Sequence, residues 1–271
     1  MNILFYSPEF HDWNISIKKI RIPDVRIYVE SFSDLNTLVR FVRDKNISII
    51  IPTRFNQMKF IINNSKPLIS KVKKIICPND YDIVETLDNK IKFREFMIMN
   101  GFDDMIPITY QINKKVFHPI IFPCIFKLAK TYSGMGSHIC ETQDKLQTCQ
   151  ESHKEAEYFI QEFIHDSNEY GAHLYIDCGN IKWGVCYKTI HPSDLFIQKG
   201  KMLKYDKVNN FDFSIFEKIF IKLNYTGFVC IDFKIVDNNI KIFEINPRLG
   251  GTIVNNKNDL TELIKFIVQT L

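Results

Sequence analysis

Two carboxylates, Asp232 and Glu244, stand in the stretch VCIDFKIVDNNIKIFEINPRLGG, Val229 to Gly251, which reads as a β-hairpin. Runs of β-branched and aromatic residues flank Asp237, Asn238 and Asn239, residue types that tolerate left-handed turn conformations. If Val236 pairs with Ile240 across that three-residue loop, Asp232 falls opposite Glu244. Directly opposed residues have Cβ atoms about 4.5–5.5 Å apart, and like charges at that spacing repel. On repulsion alone, neutralising Glu244 should leave the hairpin as stable as before or more so. Two readings fit. Either both acids lie on a solvated face where salt blunts the repulsion, or a hard divalent cation takes their oxygens as ligands and turns the cost into a site. Glu244 and Asn246 share a face by period-two alternation, which adds a third oxygen. The apolar Cys230, Ile231, Phe233, Phe243 and Ile245 around them argue against an exposed sheet, and Arg248 adds a cation just beyond Pro247. Both favour the metal reading.

A second anomaly lies upstream, in FPCIFKLAKTYSGMGSH. Lys127 interrupts an apolar strand, where an ammonium without an anionic partner would be costly to bury. The following Thr131 to Ser137 are small and flexible, and Gly134 and Gly136 let backbone N–H groups approach a ligand closely. Together they suggest a phosphate cradle; the plainer alternative is a snorkelling lysine before an ordinary hairpin turn. There is no G-x-x-x-x-G-K-[ST] loop, and Ile139 stands where a dinucleotide fingerprint needs its third glycine.

The elements that must position these residues fall into two groups. NILFY, RIYV, ISIII and KIIC read as strands, and SDLNTLVRFVRDKN between the second and third as a helix capped by Ser33 or Asp34. That alternation predicts a small open parallel sheet. A helix in NKIKFREFMIMNG ends at Gly101, and the boundary between domains falls near Tyr81 to Asn89. After Pro107 come short strands (IIFPCIFKL, YFIQEFI, GAHLYIDCG, KWGVCYKTI, GFVCIDFKIV, IKIFEIN) and helices around Gln143–Ala156 and Phe213–Leu223. This is an α+β arrangement with antiparallel pairing. NDLTELIKFIVQTL closes as an amphipathic helix capped by Asn258 or Asp259.

The 271 residues, 45% hydrophobic, suffice for two cores, and a net charge of +4 with Lys and Arg scattered among Asp and Glu gives nucleic acid no basic block to bind. Abundant lysine, asparagine and isoleucine read as coding-base bias, so only lysines in odd places are informative. The seven cysteines form no C-x-x-C pair, which suits reduced thiols in the cytoplasm. Cys124, Cys178 and Cys230, in apolar runs, are expected to be buried small hydrophobes. MNILFYSPEF reads as a first strand rather than a signal peptide, and no apolar run approaches the ~20 residues that span a bilayer. His118, His165, His173 and His191 form no ligand set and are expected on the surface or in packing; Lys188 could face an acceptor.

From about Lys90 to Gly251 the sequence resembles the ATP-grasp superfamily, since Asp232, Glu244, Asn246 and Arg248 reproduce its pattern of an acid followed by E-x-N-x-R. The resemblance implies an N-terminal open parallel α/β domain over 1–85 and a two-lobed α+β domain over 86–271 with the nucleotide cleft between its lobes. It implies that Lys90, opening a helix, and Lys127 hold the α- and β-phosphates of ATP, and that Ser133, Gly134, Met135, Gly136 and Ser137 form the loop over the triphosphate. Glu162, Phe163 and Ile164 would be the hinge whose backbone reads adenine, and Glu169 would accept the ribose hydroxyls. Asp232, Glu244 and Asn246 would hold one or two Mg²⁺ (or Mn²⁺) ions, and Arg248 would steady the transferred phosphoryl group. The implied reaction is ligation of a small-molecule carboxylate to an amine-type nucleophile through an acyl phosphate, releasing ADP and phosphate. A kinase acting on a hydroxyl and a nucleotide-binding protein without turnover are the rival readings.

Overall fold

The computed structural model describes residues 1–7, 11–131, 134–193, 195–197 and 204–271. Four parallel strands, β1 (Asn2–Tyr6), β2 (Arg26–Glu30), β3 (Ile49–Pro52) and β4 (Lys74–Ile75), form the expected open sheet in the order β2-β1-β3-β4. Helices α1 (His11–Lys18), α2 (Leu35–Asp44), α3 (Phe55–Asn63) and α4 (Ser65–Ile69) lie between these strands in sequence. Of the two candidate caps of α2, Asp34 is the one used, accepting from Thr37 N at 2.9 Å. Next come α5 (Tyr81–Asp88) and α6 (Lys90–Met99), the latter closed by Gly101 at φ +75°. Asn89 caps α6, its Oδ1 accepting from Ile91 N and Lys92 N, and this fixes Lys90 at the first helical position.

Two antiparallel sheets follow. The first has the order β6-β5-β9-β7-β8, built from β5 (Thr109–Ile112), β6 (Lys115–Val116), β7 (Cys124–Leu128), β8 (Ser137–Cys140) and β9 (Tyr158–Glu162), with α7 (Gln143–Ser152) between β8 and β9. The second has the order β12-β11-β10-β13-β14, built from β10 (Asn168–Asp177), β11 (Asn180–Ile190), β12 (Tyr205–Val208), β13 (Gly227–Val236) and β14 (Asn239–Asn246), with α8 (Glu217–Leu223) before β13. Helices α9 (Gly251–Asn255) and α10 (Lys257–Gln269) end the chain. Their apolar residues Ile253, Leu260, Leu263 and Ile267 share one core with Ile3, Phe5 and Ile49 of the parallel sheet and with Tyr175, Val185 and Phe228 of the second antiparallel sheet. Among the described residues no helix is long and apolar enough to cross a membrane.

The β13–β14 hairpin brings Asp232 opposite Glu244 by a different route from the three-residue loop. Val236 pairs with Asn239, leaving a two-residue turn in which Asp237 (φ +49°) and Asn238 (φ +63°) are both left-handed, as a type I′ turn requires. Pairing runs in that frame to Phe233–Ile242, and a bulge at Phe243 then shifts it so that Asp232 meets Glu244 and Cys230 meets Asn246. Ile242 and Ile245 both enter the core beneath the sheet, while Phe243 and Glu244, adjacent in sequence, both line the cleft.

Two further expectations are corrected. Cys178 is exposed, because it occupies the tight β10–β11 turn with φ +49° instead of continuing the strand. The cap of α10 is Asn256, which accepts from Asp259 N at 3.2 Å; Asp259 is buried and accepts from Tyr187 Oη and Lys207 Nζ, both at 2.5 Å.

Candidate active site

A cleft of about 640 Å³ runs between the two antiparallel sheets and reaches the N-terminal sheet. It gathers most of the residues singled out from sequence: Lys90, Lys127, Gly134, Ser137, Phe163, Ile164, Glu169, Asp232, Glu244, Asn246 and Arg248 all line it.

The hairpin carries its negative end. Asn246 Nδ2 bridges the opposed acids, donating to Glu244 Oε1 at 3.0 Å and reaching Asp232 Oδ2 at 3.5 Å, while Asn246 Oδ1 accepts from Arg248 Nη2 at 3.3 Å. Burial, reinforced by the charges of Glu244 and Glu169, pushes the Asp232 carboxyl well above the usual carboxylate range. Burial acts on Glu244 in the same sense, but Lys90, Lys127 and the Asn246 hydrogen bond outweigh it and hold Glu244 low. Glu244 is therefore the resident anion, and Asp232 carries the uncompensated electrostatic load.

The lysines approach from the other sheet and from α6. Lys90 Nζ lies 2.9 Å from Glu244 Oε2 and donates to Thr131 O at 2.7 Å. Lys127 extends from β7 over the Phe243 ring, 5.2 Å from its centroid. Burial, only partly offset by Glu244, draws its pKa down to about 8. Behind them Arg94 is wholly buried, donating to Thr109 Oγ1 at 3.1 Å and to Gln161 Oε1, with its guanidinium 4.3 Å from the Phe159 ring centroid. Sequence reading passed over Arg94 because an arginine in a helix ordinarily faces water; only the assembled sheet reveals its burial.

Some expected members take other roles. Met135 is exposed and, like Gly136, lies off the cleft wall. Gly136, at φ +66°, is required by packing, since a Cβ there would lie 2.8 Å from Leu128 Cδ1. Ser133 lies outside the described residues. The Glu162 side chain accepts from Ile108 N at 3.1 Å and its own N–H donates to Ile108 O at 2.8 Å, so that amide is already taken. Lys234, almost fully buried, donates to Ile164 O at 3.1 Å. Lys188 is not in the cleft wall but sits over Tyr170, because strand alternation turns its neighbours Tyr187 and Thr189 inward instead. Glu169 faces the cleft with the buried His191 behind it, Nε2 3.4 Å from Glu169 Oε2.

His173 is buried beneath Gly250, and burial together with the Arg248 charge draws its pKa down to about 3, so the imidazole is neutral. Trp13, on α1, and Arg54, just before α3, also line the cleft. Sequence reading missed them, although loops leaving the carboxyl ends of parallel strands were the place to look.

Among the described residues no three His, Cys, Asp or Glu side chains gather as a metal cluster, so the candidate metal set is two carboxylates and one carboxamide. The residues fit a hard divalent cation: the two carboxylates offer oxygens, Asn246 would add its Oδ1 on turning its carboxamide over, and the raised Asp232 marks a crowding of negative charge that a cation would relieve.

Among curated protein sequences none matches the chain. Among solved structures it is similar to L-amino acid ligase from Bacillus licheniformis (14% identity, 94% of this chain and 68% of that one, TM-score 0.61). It is similar also to D-alanine–D-alanine ligase from Bacillus anthracis complexed with ATP (12% identity, 99% and 95%, TM-score 0.61). A third is biotin carboxylase from Campylobacter jejuni (15% identity, 98% and 70%, TM-score 0.63). At these identities the likeness speaks for the fold. Residues 87–252, more than half of the chain, match the family profile of the ATP-grasp domain, and the protein belongs to that family.

Proposed function

We propose that this chain is an ATP-dependent ligase that phosphorylates a substrate carboxylate and passes the acyl group to an amine-type nucleophile, releasing ADP and phosphate. The observation that carries the reading is the opposition of Asp232, Glu244 and Asn246 to Lys90 and Lys127 across one cleft. A divalent cation, Mg²⁺ or Mn²⁺, held by Asp232, Glu244 and Asn246 would neutralise charge on the terminal phosphates. Lys90 and Lys127 would bind the phosphate oxygens, with Ser137 and the backbone around Gly134 closing over them. Phe163 and Ile164 would form an apolar slot for adenine, and Glu169 would accept from the ribose hydroxyls. Arg248, tethered by its own Nη1 to Leu249 O at 3.0 Å, would face the phosphoryl group in transfer. Positioning and charge neutralisation are the main demands of phosphoryl transfer, which suits a site rich in lysine, arginine and carboxylates. We also propose the division into a unit over 1–85 and an ATP-grasp unit over 86–271, and small-molecule partners in the cytoplasm.

Incubation with Mg-ATP, a panel of carboxylic acids and hydroxylamine tests this. The expected result is ADP together with a hydroxamate for the right acid. AMP and pyrophosphate would rule out the acyl phosphate, and a stable phosphate ester would make the protein a kinase.

A further inference from the structure

Strands β10 and β11 pair in a register that sets Glu169 opposite Thr189, and the N–H of His191, just beyond β11, carries the ladder on by donating to Ser167 O at 2.7 Å. Alternation puts His191 on the same face as Tyr187 and Thr189, both of which line the cleft, and makes it a diagonal neighbour of Glu169. The imidazole is not itself in the cleft wall; its side chain is 2% exposed, against 37% for the Glu169 side chain in front of it. The Phe196 ring packs on it, centroid to centroid 5.1 Å. Among the described residues neither ring nitrogen of His191 has a hydrogen-bond partner: Nε2 lies 3.4 Å from Glu169 Oε2 without the alignment that a hydrogen bond needs. An unpaired buried polar group is costly, and a small turn of the Glu169 carboxylate would satisfy this one.

Resting on the reading that Glu169 accepts from the ribose hydroxyls, we infer that His191 is the positioning residue that aims the Glu169 carboxylate at the sugar of the nucleotide. Nε2–H donates to Oε2 in the nucleotide complex and holds the side chain against the sheet, where a half-exposed glutamate would otherwise swing into water. Oε1 and the remaining lone pairs of Oε2 are left for the 2′ and 3′ hydroxyls. Hydrogen bonds of this kind are often long in the empty site and tighten around the ligand. A carboxylate accepts and cannot donate, so the pair recognises a sugar that carries both hydroxyls and discriminates against one without them. His191 touches no atom of the nucleotide and acts through Glu169 alone.

Titration calorimetry with Mg-ATP and with Mg-2′,3′-dideoxy-ATP tests this on the wild type, Glu169→Ala, His191→Phe and His191→Gln. The wild type should prefer ATP by about tenfold or more, the loss expected when hydrogen bonds to a charged acceptor go unmade. Glu169→Ala should erase that preference, and His191→Phe, which keeps a ring against Phe196 but has no donor, should cut it to about threefold or less. His191→Gln, whose amide nitrogen stands in for Nε2, should keep most of it. A residue needed only for packing would weaken both nucleotides alike and leave their ratio unmoved. An unchanged ratio in His191→Phe, or a ratio that falls as far in His191→Gln, overturns the positioning role. Nitrogen NMR of wild type labelled at histidine gives a second reading that needs no variant to fold: the His191 Nε2 resonance should shift with Mg-ATP and much less with the dideoxy analogue, and equal shifts or none overturn the role. The underlying readings fail separately. A preference that Glu169→Ala erases and His191→Phe leaves intact defeats the inference alone, whereas equal wild-type affinity for both nucleotides removes Glu169 from the ribose and the inference with it. A preference that depends on His191, without ADP release for any acid, removes the ligase and keeps the inference.

Discussion

Lys90 Nζ and Glu244 Oε2 meet at 2.9 Å, joining the first turn of α6 to β14, with the two side chains only 7% and 23% exposed. The hairpin's acids are therefore not merely a repelling pair. Glu244 is the counter-ion of a buried lysine, so removing its charge strands Lys90 as well as relieving Asp232.

The Glu244→Gln protein should accordingly be less stable than wild type without ligand, by about 1–3 kcal/mol, the cost of leaving a shielded charged donor poorly partnered. This reverses the sign that cross-strand repulsion alone suggests. Urea melts with and without Mg-ATP check it: turnover should vanish and the stabilisation by Mg-ATP should shrink.

Nucleotide affinity should depend on pH through Lys127. Its pKa in the free protein is drawn down to about 8, so below that pH the ammonium is already charged and meets phosphate without proton uptake. Above it, binding must take up a proton, and affinity should fall by up to ~10-fold per pH unit until the bound-state pKa is reached. Titration calorimetry from pH 7 to 9.5, in buffers of different ionisation enthalpy, should show proton uptake appearing across that window. Lys127→Met should bind ~10-fold or more weakly at pH 7 and lose the pH dependence.

Gly250 and Gly251 should respond differently to alanine. A Cβ on Gly250 would lie 2.3 Å from His173 Cε1 and 2.8 Å from Cys230 Sγ, whereas one on Gly251 meets nothing within 4 Å. Overpacking of this kind costs about 1–3 kcal/mol. Thermal unfolding should show Gly250→Ala destabilised and Gly251→Ala unchanged or slightly more stable, and His173→Ala should restore part of the loss in Gly250→Ala.

Asn238→Gly should stabilise the fold by up to about 1 kcal/mol, because it relieves a left-handed asparagine in the hairpin turn. Nucleotide affinity should not change, which calorimetry on the same variant would show.

Much of this was legible in the chain because strand chemistry is local. Period-two alternation correctly grouped Glu244 with Asn246, and Gly101 marked the end of the helix that Lys90 opens. What escaped depended on assembly. Lys188 lies outside the cleft wall that its neighbours Tyr187 and Thr189 line, because nothing in a lone strand says which parity faces inward. Trp13 and Arg54 acquire meaning only from the strand order that sets β1 beside β3.

The bulge at Phe243 also bears on how this hairpin could vary. A three-residue loop without a bulge would pair Asp232 with Glu244 equally well, so the acids' meeting is redundant between two backbones and insensitive to the length of the tip. Phe243 is what distinguishes them. In the regular hairpin it would join Ile245 on the buried face; the extra residue swings it out beside Glu244, where Lys127 lies over its ring. Lengthening the tip by one residue while deleting one at the bulge would thus conserve the acid pair and take from the cleft the ring beneath Lys127, uncoupling metal chemistry from the surface against which Lys127 rests.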